Sequence, residues 1–522
     1  PVHSRHVLHS PIHRLRPLRH RQRCCAIGEC TNDYDDYPRS YLARVGWLFR
    51  QPPGLIHSPR TNPAWQLGFF VFTESLTIMF SEPRFRSLPA SHIAAAAATV
   101  VGNTTTIRPL RVGMIGLGTV GMGTWTVLKR NQALISARAG RAIEVVAVAV
   151  RDRLRAAEWL GDEALQSVEL SNDPHYVATH PDIDVLVEVA GGTGPARDWV
   201  LAAMEHGKHV VTANKALLAV HGESLAAAAS AHGCQLAYEA AVAGSVPIIK
   251  TLREALAGNR IESVAGILNG TSNYILTRMR DAGLDFDAAL KEAQGLGYAE
   301  ADPAFDVNGT DAAHKLALLA ANAFGMPVSF DAVHVEGISD LQRADIAAAA
   351  QMGYAVKLLA IARRVADSNA VELRVHPALV PTRHALAHVD GATNGIAVHG
   401  DASGPAFYSG AGAGSEPTAS AVVADLMDLA RLSPSAANAP YASGVPTLGT
   451  HVRAQTACTV APIGDVVTSH LLRIIPDAGL CETTVLRQLA KAGVSVQRRQ
   501  WSHAECEAGM PCLLVLTAPA SD

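Results

Sequence analysis

The stretch that most constrains this fold is "LRVGMIGLGTVGMGTWTVLKRN", where Gly116, Gly118 and Gly121 stand at G-x-G-x-x-G spacing. The apolar run before the glycines reads as a buried strand, and the run after them reads as a helix. In that setting the glycines permit a tight turn, close approach of a pyrophosphate and tight helix–strand packing. The helix N-terminus adds free N–H groups and the positive end of a dipole. Gly116, Leu117, Gly118, Thr119, Val120 and Gly121 therefore form a candidate dinucleotide cradle. A purely structural glycine turn is the alternative.

Further β-branched runs follow in "AIEVVAVAVRD", "DIDVLVEVAGG", "HVVTANK" and "CQLAYEAAV", with helical stretches such as "ARDWVLAAMEHG" and "SLAAAASAHG" between them. Such alternation predicts an α/β fold with a Rossmann-type parallel sheet and right-handed crossovers. Ligands of open α/β sheets bind at the carboxyl ends of the strands. The sequence places Arg151, then Gly191, Gly192 and Thr193, then Asn214 and Lys215 at successive strand ends. An acid after the second strand usually holds the ribose of NAD. Here Arg151 precedes Asp152, and an arginine can stack on adenine and pair with a 2′-phosphate. The expectation is NADP, with NAD possible.

Composition narrows the function. Hydrophobic residues make up 48% of the 522 and charged residues 17%, which suits a large buried core. The net charge of -3 gives no basic field for nucleic acid. No run of roughly 18 apolar residues suggests a membrane span. None of the eight cysteines forms a C-x-x-C pair, so reduced thiols in a cytoplasmic enzyme are expected. Residues 1–107 read as an irregular extension, either disordered or an upstream reading-frame extension outside the natural protein. They lack the apolar segment of a secretory signal, and "CTNDYDDYP" is too acidic for a transit peptide. Residues 108–240 are assigned to the dinucleotide domain, completed by about 411–432, and 241–410 to a substrate and dimerisation domain. A linker at 433–465 precedes a small tail unit at 466–522.

The segment "GLGYAEADPAFDVNGTDAAHK" carries Glu300, Asp302, Asp306 and Asp311 and closes on Lys315. Asp302, before Pro303, reads as a turn-shaping residue. Asp311 and Lys315 share a face of the helix predicted in "DAAHKLALLAANAF". Alone, such a spacing is an ordinary helix-stabilising pair worth about 0.3–0.5 kcal/mol. Beside a dinucleotide site it also offers an ammonium that can stabilise and protonate a carbonyl oxygen receiving hydride.

Ala293, Gly297, Tyr298, Asp302, Pro303, Asp306, Gly309, Asp311 and Lys315 stand at the spacing of the homoserine dehydrogenase signature, and the chain from Arg108 onward resembles that family. "VTANKALLA", "YEAAVAG", "GILNGTSNYILTRM" and "GAGAGSEPTASAVVADL" resemble it in order and spacing. The resemblance implies NAD(P)-dependent interconversion of L-aspartate 4-semialdehyde and L-homoserine by a homodimer or homotetramer. It implies Lys315 as proton donor with Lys215 as the second candidate, and Glu300, Asp306 and Asp311 in the substrate pocket. Thr193 and Gly414 would reach the cofactor. Glu239 would supply a side-chain oxygen, and Val242, Gly244 and Val246 carbonyls, to a monovalent cation such as sodium. A structural loop with Glu239 paired to a base is the alternative there. The tail resembles a partial ACT domain, but "DAGLCET" departs from the usual loop and the repeat is short, which argues against threonine feedback. Two other classes remain open: another Rossmann oxidoreductase for a small amino or hydroxy acid, and a non-catalytic dinucleotide sensor.

Overall fold

The computed structural model describes residues 108–432, 458–475, 481–502 and 512–520. Residues 1–107 and most of the expected linker lie outside the described residues.

Six short strands build the first sheet: β1 (Leu110–Ile115), β2 (Ile143–Ala149), β3 (Glu169–Ser171), β4 (Val185–Glu188), β5 (His209–Thr212) and β6 (Leu236–Ala237). They pair in the order β3-β2-β1-β4-β5-β6, every pair parallel. This is the doubly wound order, in which the chain reverses direction beside β1 and opens a crevice at the strand ends. Val112, Met114, Val185 and Val187 are fully buried, as expected where helices cover both faces of a parallel sheet. The main covering helices are α1 (Thr119–Arg130), α2 (Pro195–Glu205) and α3 (Lys215–Ala231).

The second sheet contains β7 (Ile261–Ile267), β8 (His334–Val335), β9 (Tyr354–Arg364), β10 (Ala370–Pro381), β11 (Thr393–Gly400), β12 (Gly404–Ala411) and β13 (Thr459–Val460). Its order is β12-β11-β7-β9-β10-β13, with β8 on β10. Strand β13 corrects the linker expectation: Thr459 and Val460 pair in parallel with Ala370 and Val371. Helices α4 (Gly270–Asp281), α5 (Phe286–Gly295), α6 (Thr310–Phe324) and α7 (Arg343–Gln351) accompany this sheet. Helix α6 lies between Gly309 and Gly325, both left-handed. It packs on β7, β9 and β10 and also on α3, so it joins the two sheets. Leu316, Leu319 and Ala320 are buried in this core. Helix α8 (Ser415–Arg431) returns the chain to the first sheet and lies against α1.

The tail folds as β14 (Leu471–Ile474), α9 (Glu482–Lys491), β15 (Val496–Ser502) and β16 (Cys512–Thr517). The order β14-β16-β15 is antiparallel throughout. Arg473 pairs with Asp345 of α7, and Arg498 Nη1 donates to the Met352 carbonyl, so the unit docks on the second sheet's helical layer. Cys234, Cys458 and Cys481 are free, but Cys512 is disulfide-bonded, which corrects the all-reduced expectation. Among the described residues no helix is long and apolar enough to cross a membrane.

Candidate active site

The glycine turn sits at the crevice. Gly116 has φ +100°, and a β-carbon there would lie 2.9 Å from the Ala190 backbone nitrogen. A β-carbon on Gly121 would lie 2.4 Å from the Gly116 carbonyl oxygen, so this glycine sets how closely α1 follows β1. Gly118 is different: the space its β-carbon would enter holds nothing within 4 Å. It precedes α1 with no side-chain cap on the helix N-terminus. Open space over uncapped N–H groups fits a pyrophosphate. Leu117 is buried beneath the turn, and Thr119 and Val120 begin the helix. Gly414 (φ +125°) precedes α8, where Ser415 Oγ donates 2.7 Å to the Thr119 carbonyl. The late glycine is thus brought to the turn, although 293 residues separate Gly121 from Gly414.

Arg151 is exposed beyond β2. Its neighbour Asp152 caps the next helix by accepting 3.0 Å from the Arg155 N–H. The local acid is engaged in helix capping, and the neighbouring cation is exposed. Thr193 lies beyond β4, in a loop with Gly191 and Gly192 at φ +81° and +85°.

On the second sheet's side, Asp311 is 3% exposed in the first turn of α6. Its Oδ2 accepts from Lys315 Nζ at 2.7 Å and from Asn269 Nδ2 at 2.9 Å. Its Oδ1 lies 3.3 Å from Lys215 Nζ, which comes from α3 of the dinucleotide domain. One carboxylate therefore joins both candidate lysines. Burial alone would raise the Asp311 pKa, but the charges of Lys315 and Lys215 and the hydrogen bonds from Lys315 and Asn269 outweigh it and hold it at about 2.

Lys315 Nζ also donates 2.7 Å to the Leu268 carbonyl. Two of its three protons are committed within the protein, which aims the third. Lys215 is more exposed, 32% against 12% for the Lys315 side chain, and its Nζ sits 5.7 Å from the Phe305 ring centroid.

Asn269 Nδ2 reaches Asp306 Oδ1 at 2.7 Å as well as Asp311, and its Oδ1 caps α4 by accepting from the Ser272 N–H. Burial and the nearby Asp311 charge push the Asp306 pKa up, against hydrogen bonds from Asn269 and Thr271 and the Lys315 charge. Glu300 is exposed, and no side-chain hydrogen bond or ion pair engages its carboxyl among the described residues. Asp302 accepts 3.1 Å from the Ala304 N–H and shapes the turn before α6.

The candidate cation loop fits in part. Both Glu239 carboxyl oxygens accept backbone N–H groups, from Ile249 at 2.9 Å and Lys250 at 2.8 Å. The side chain thus also serves as a helix-end cap. Burial pushes its pKa up to about 7 against those bonds and the charges of Lys250 and Arg253. The Val246 carbonyl accepts from the Ile248 N–H at 2.8 Å. The carbonyls of Val242 and Gly244 accept no hydrogen bond among the described residues, so the backbone is the better donor set for a hard cation.

Two side chains at the site were missed as site residues in the sequence. Asn269 lies inside "GILNGTSNYILTRM", and its signal is an N-cap residue between an apolar strand and a helix. Glu188 ends the apolar run of β4 at 0% exposure; an acid inside a buried strand was the signal.

Comparison with known proteins points to one family. Residues 247–427 match the family model described as homoserine dehydrogenase, and residues 116–239 match homoserine dehydrogenase, NAD binding domain. The chain is 45% identical to the homoserine dehydrogenase of Pseudomonas aeruginosa over 412 residues, 79% of this chain and 92% of that one. It is 46% identical to that of Neisseria gonorrhoeae over 368 residues, covering 70% and 82%. The crystal structure of a homoserine dehydrogenase from Thiobacillus denitrificans superposes with a TM-score of 0.72 at 48% identity, covering 79% of this chain and 92% of that one. With a doubly wound dinucleotide domain, a mixed-sheet second domain and relatives this similar over most of its length, the chain belongs to the homoserine dehydrogenase family of dinucleotide-dependent oxidoreductases.

Proposed function

We propose that the chain catalyses the reversible NAD(P)H-dependent reduction of L-aspartate 4-semialdehyde to L-homoserine, with Lys315 delivering the proton. The observation that carries this reading is the meeting of Lys315 and Lys215 on Asp311, at the junction of the dinucleotide domain and the second sheet. When bound, the dinucleotide supplies the hydride. Lys315, steadied by Asp311 and the Leu268 carbonyl, donates a hydrogen bond to the aldehyde oxygen and passes it a proton as negative charge develops there. Glu300 and Asp306 hold the substrate ammonium, and Asp311 keeps the lysine ammonium aimed. Lys215 lies toward the cofactor side and supports the same oxygen or the substrate carboxylate.

Arg151 favours NADP, with NAD possible, because Asp152 is used as a cap. A monovalent cation such as sodium would be held by the carbonyls of Val242 and Gly244. A homodimer or homotetramer and an ACT-like tail are what the family resemblance implies. The tail's β-α-β-β order with the third strand central is the beginning of a ferredoxin-like repeat.

The test is NADPH oxidation with L-aspartate 4-semialdehyde and with succinate semialdehyde, which lacks the amino group. The expected result is turnover of the first and a loss in kcat/KM of about 100-fold or more for the second, because carboxylates built for an ammonium are left unpaired. Equal turnover of both would contradict the substrate assignment.

A further inference from the structure

Glu188 is fully buried at the carboxyl end of β4, and the proposed reaction makes no use of it. No ion pair holds it among the described residues. An acid buried in this way is costly unless hydrogen bonds replace its water. Its Oε1 accepts from the N–H groups of Ala190 at 3.0 Å and Gly191 at 2.9 Å. Its Oε2 accepts 2.8 Å from Thr212 Oγ1, on the neighbouring strand β5, where the two residues are register partners. Thr212 Oγ1 accepts in turn from the Asn214 N–H at 3.0 Å. Asn214 completes the ring by donating 2.7 Å to the Gly192 carbonyl, and its Oδ1 caps α3 through the Leu217 N–H.

The ring therefore locks two loops together. One runs from β4 to α2 and carries Thr193. The other runs from β5 into α3 and places Lys215 as the first helical residue, 3.3 Å from Asp311. The glycine turn does not belong to the ring, because the Gly116 N–H is held by the Ala149 carbonyl at 3.0 Å. We infer that Glu188 is a positioning residue that fixes the Thr193 loop and the Lys215 turn as one unit on the nicotinamide side of the dinucleotide. The inference rests on the homoserine dehydrogenase reading for where the nicotinamide lies.

Polarity makes the ring testable. Glu188→Gln keeps the shape and one oxygen for the Ala190 and Gly191 N–H groups. It aims an amide N–H at Thr212 Oγ1, which already accepts from Asn214 and then has no acceptor for its own proton. Thr212→Val breaks the same link from the other strand without touching Glu188.

The experiment measures binding of each reduced dinucleotide beside its nicotinamide-free fragment, NADPH with 2′-phospho-ADP-ribose and NADH with ADP-ribose. It uses the full-length wild type and the two variants, with circular dichroism as a check on folding. The expected result is about a tenfold rise in Kd for the dinucleotide, equivalent to about 1.4 kcal/mol, with the fragment changed by less than about twofold. A general weakening of the fold would move dinucleotide and fragment together. Equal losses for both, an unchanged dinucleotide Kd, or a wild type that binds neither dinucleotide would overturn the inference. If Glu188→Gln fails to fold, Thr212→Val carries the same comparison. Turnover of aspartate semialdehyde by the wild type is measured in parallel. Its absence would count against the proposed reaction, while the ring is judged from binding.

Discussion

Asp311 shows how one residue can be half legible in a sequence. Its spacing to Lys315 identifies a pair on one helical face, and the two are indeed 2.7 Å apart. Its contacts with Lys215 and Asn269 are invisible to spacing, because they come from other elements 96 and 42 residues away. The consequence is electrostatic. The Asp311 pKa of about 2 lies below its unfolded value of about 3.9. The unfolded chain therefore binds the proton first on acidification. The stability contributed by Asp311 is fully present above about pH 4 and is lost as pH falls through about 2. Asp311→Asn is expected to cost about 2–3 kcal/mol at pH 7 in urea unfolding, with the difference from wild type narrowing between about pH 4 and 2. A difference that does not vary with pH would show that the lost packing, and not the charge, matters. Asp306, whose pKa is pushed up, titrates before Asp311 and belongs to a different part of the pH range.

At the scale of elements, the strands and helices flanking the glycine turn were legible because their periodicity is local. The division of labour among the three glycines was not, since it depends on what each missing side chain would meet. Gly121 faces the Gly116 carbonyl, whereas Gly118 faces open space. Gly121→Ala is therefore expected to lower stability by about 1–3 kcal/mol, the usual cost of forcing a methyl into a packed contact. Gly118→Ala should leave the melting curve unchanged and weaken NADPH binding. Urea melts and fluorescence titration of the two variants separate these effects, and a Gly118→Ala loss confined to stability would contradict the cradle. Strand β13 escaped the sequence reading because a two-residue strand has no period of its own; its place is dictated by the edge of β10. Glu239 escaped differently: its backbone partners at Ile249 and Lys250 exist only once the chain has turned back on itself.

At the scale of the whole molecule, a parallel sheet and a mixed sheet meet through α6, and the candidate site lies on that junction. Lys215 arrives from the first sheet, Lys315 and Asp311 from α6 and Asn269 from the second sheet's strand-to-helix turn. Helix α8 returns the chain to the first sheet and carries Gly414 back to the glycine turn. No single domain holds the complete set, so on the proposed reading a dinucleotide domain alone would bind cofactor without supplying the proton. Lys315 is the proposed proton donor at this junction. The most direct measurement is kcat for NADPH-dependent reduction of L-aspartate 4-semialdehyde by wild type and Lys315→Ala, with NADPH affinity measured in both. A fall in kcat of about 100- to 10,000-fold with NADPH affinity retained is the predicted result. A kcat within about threefold of wild type would contradict it.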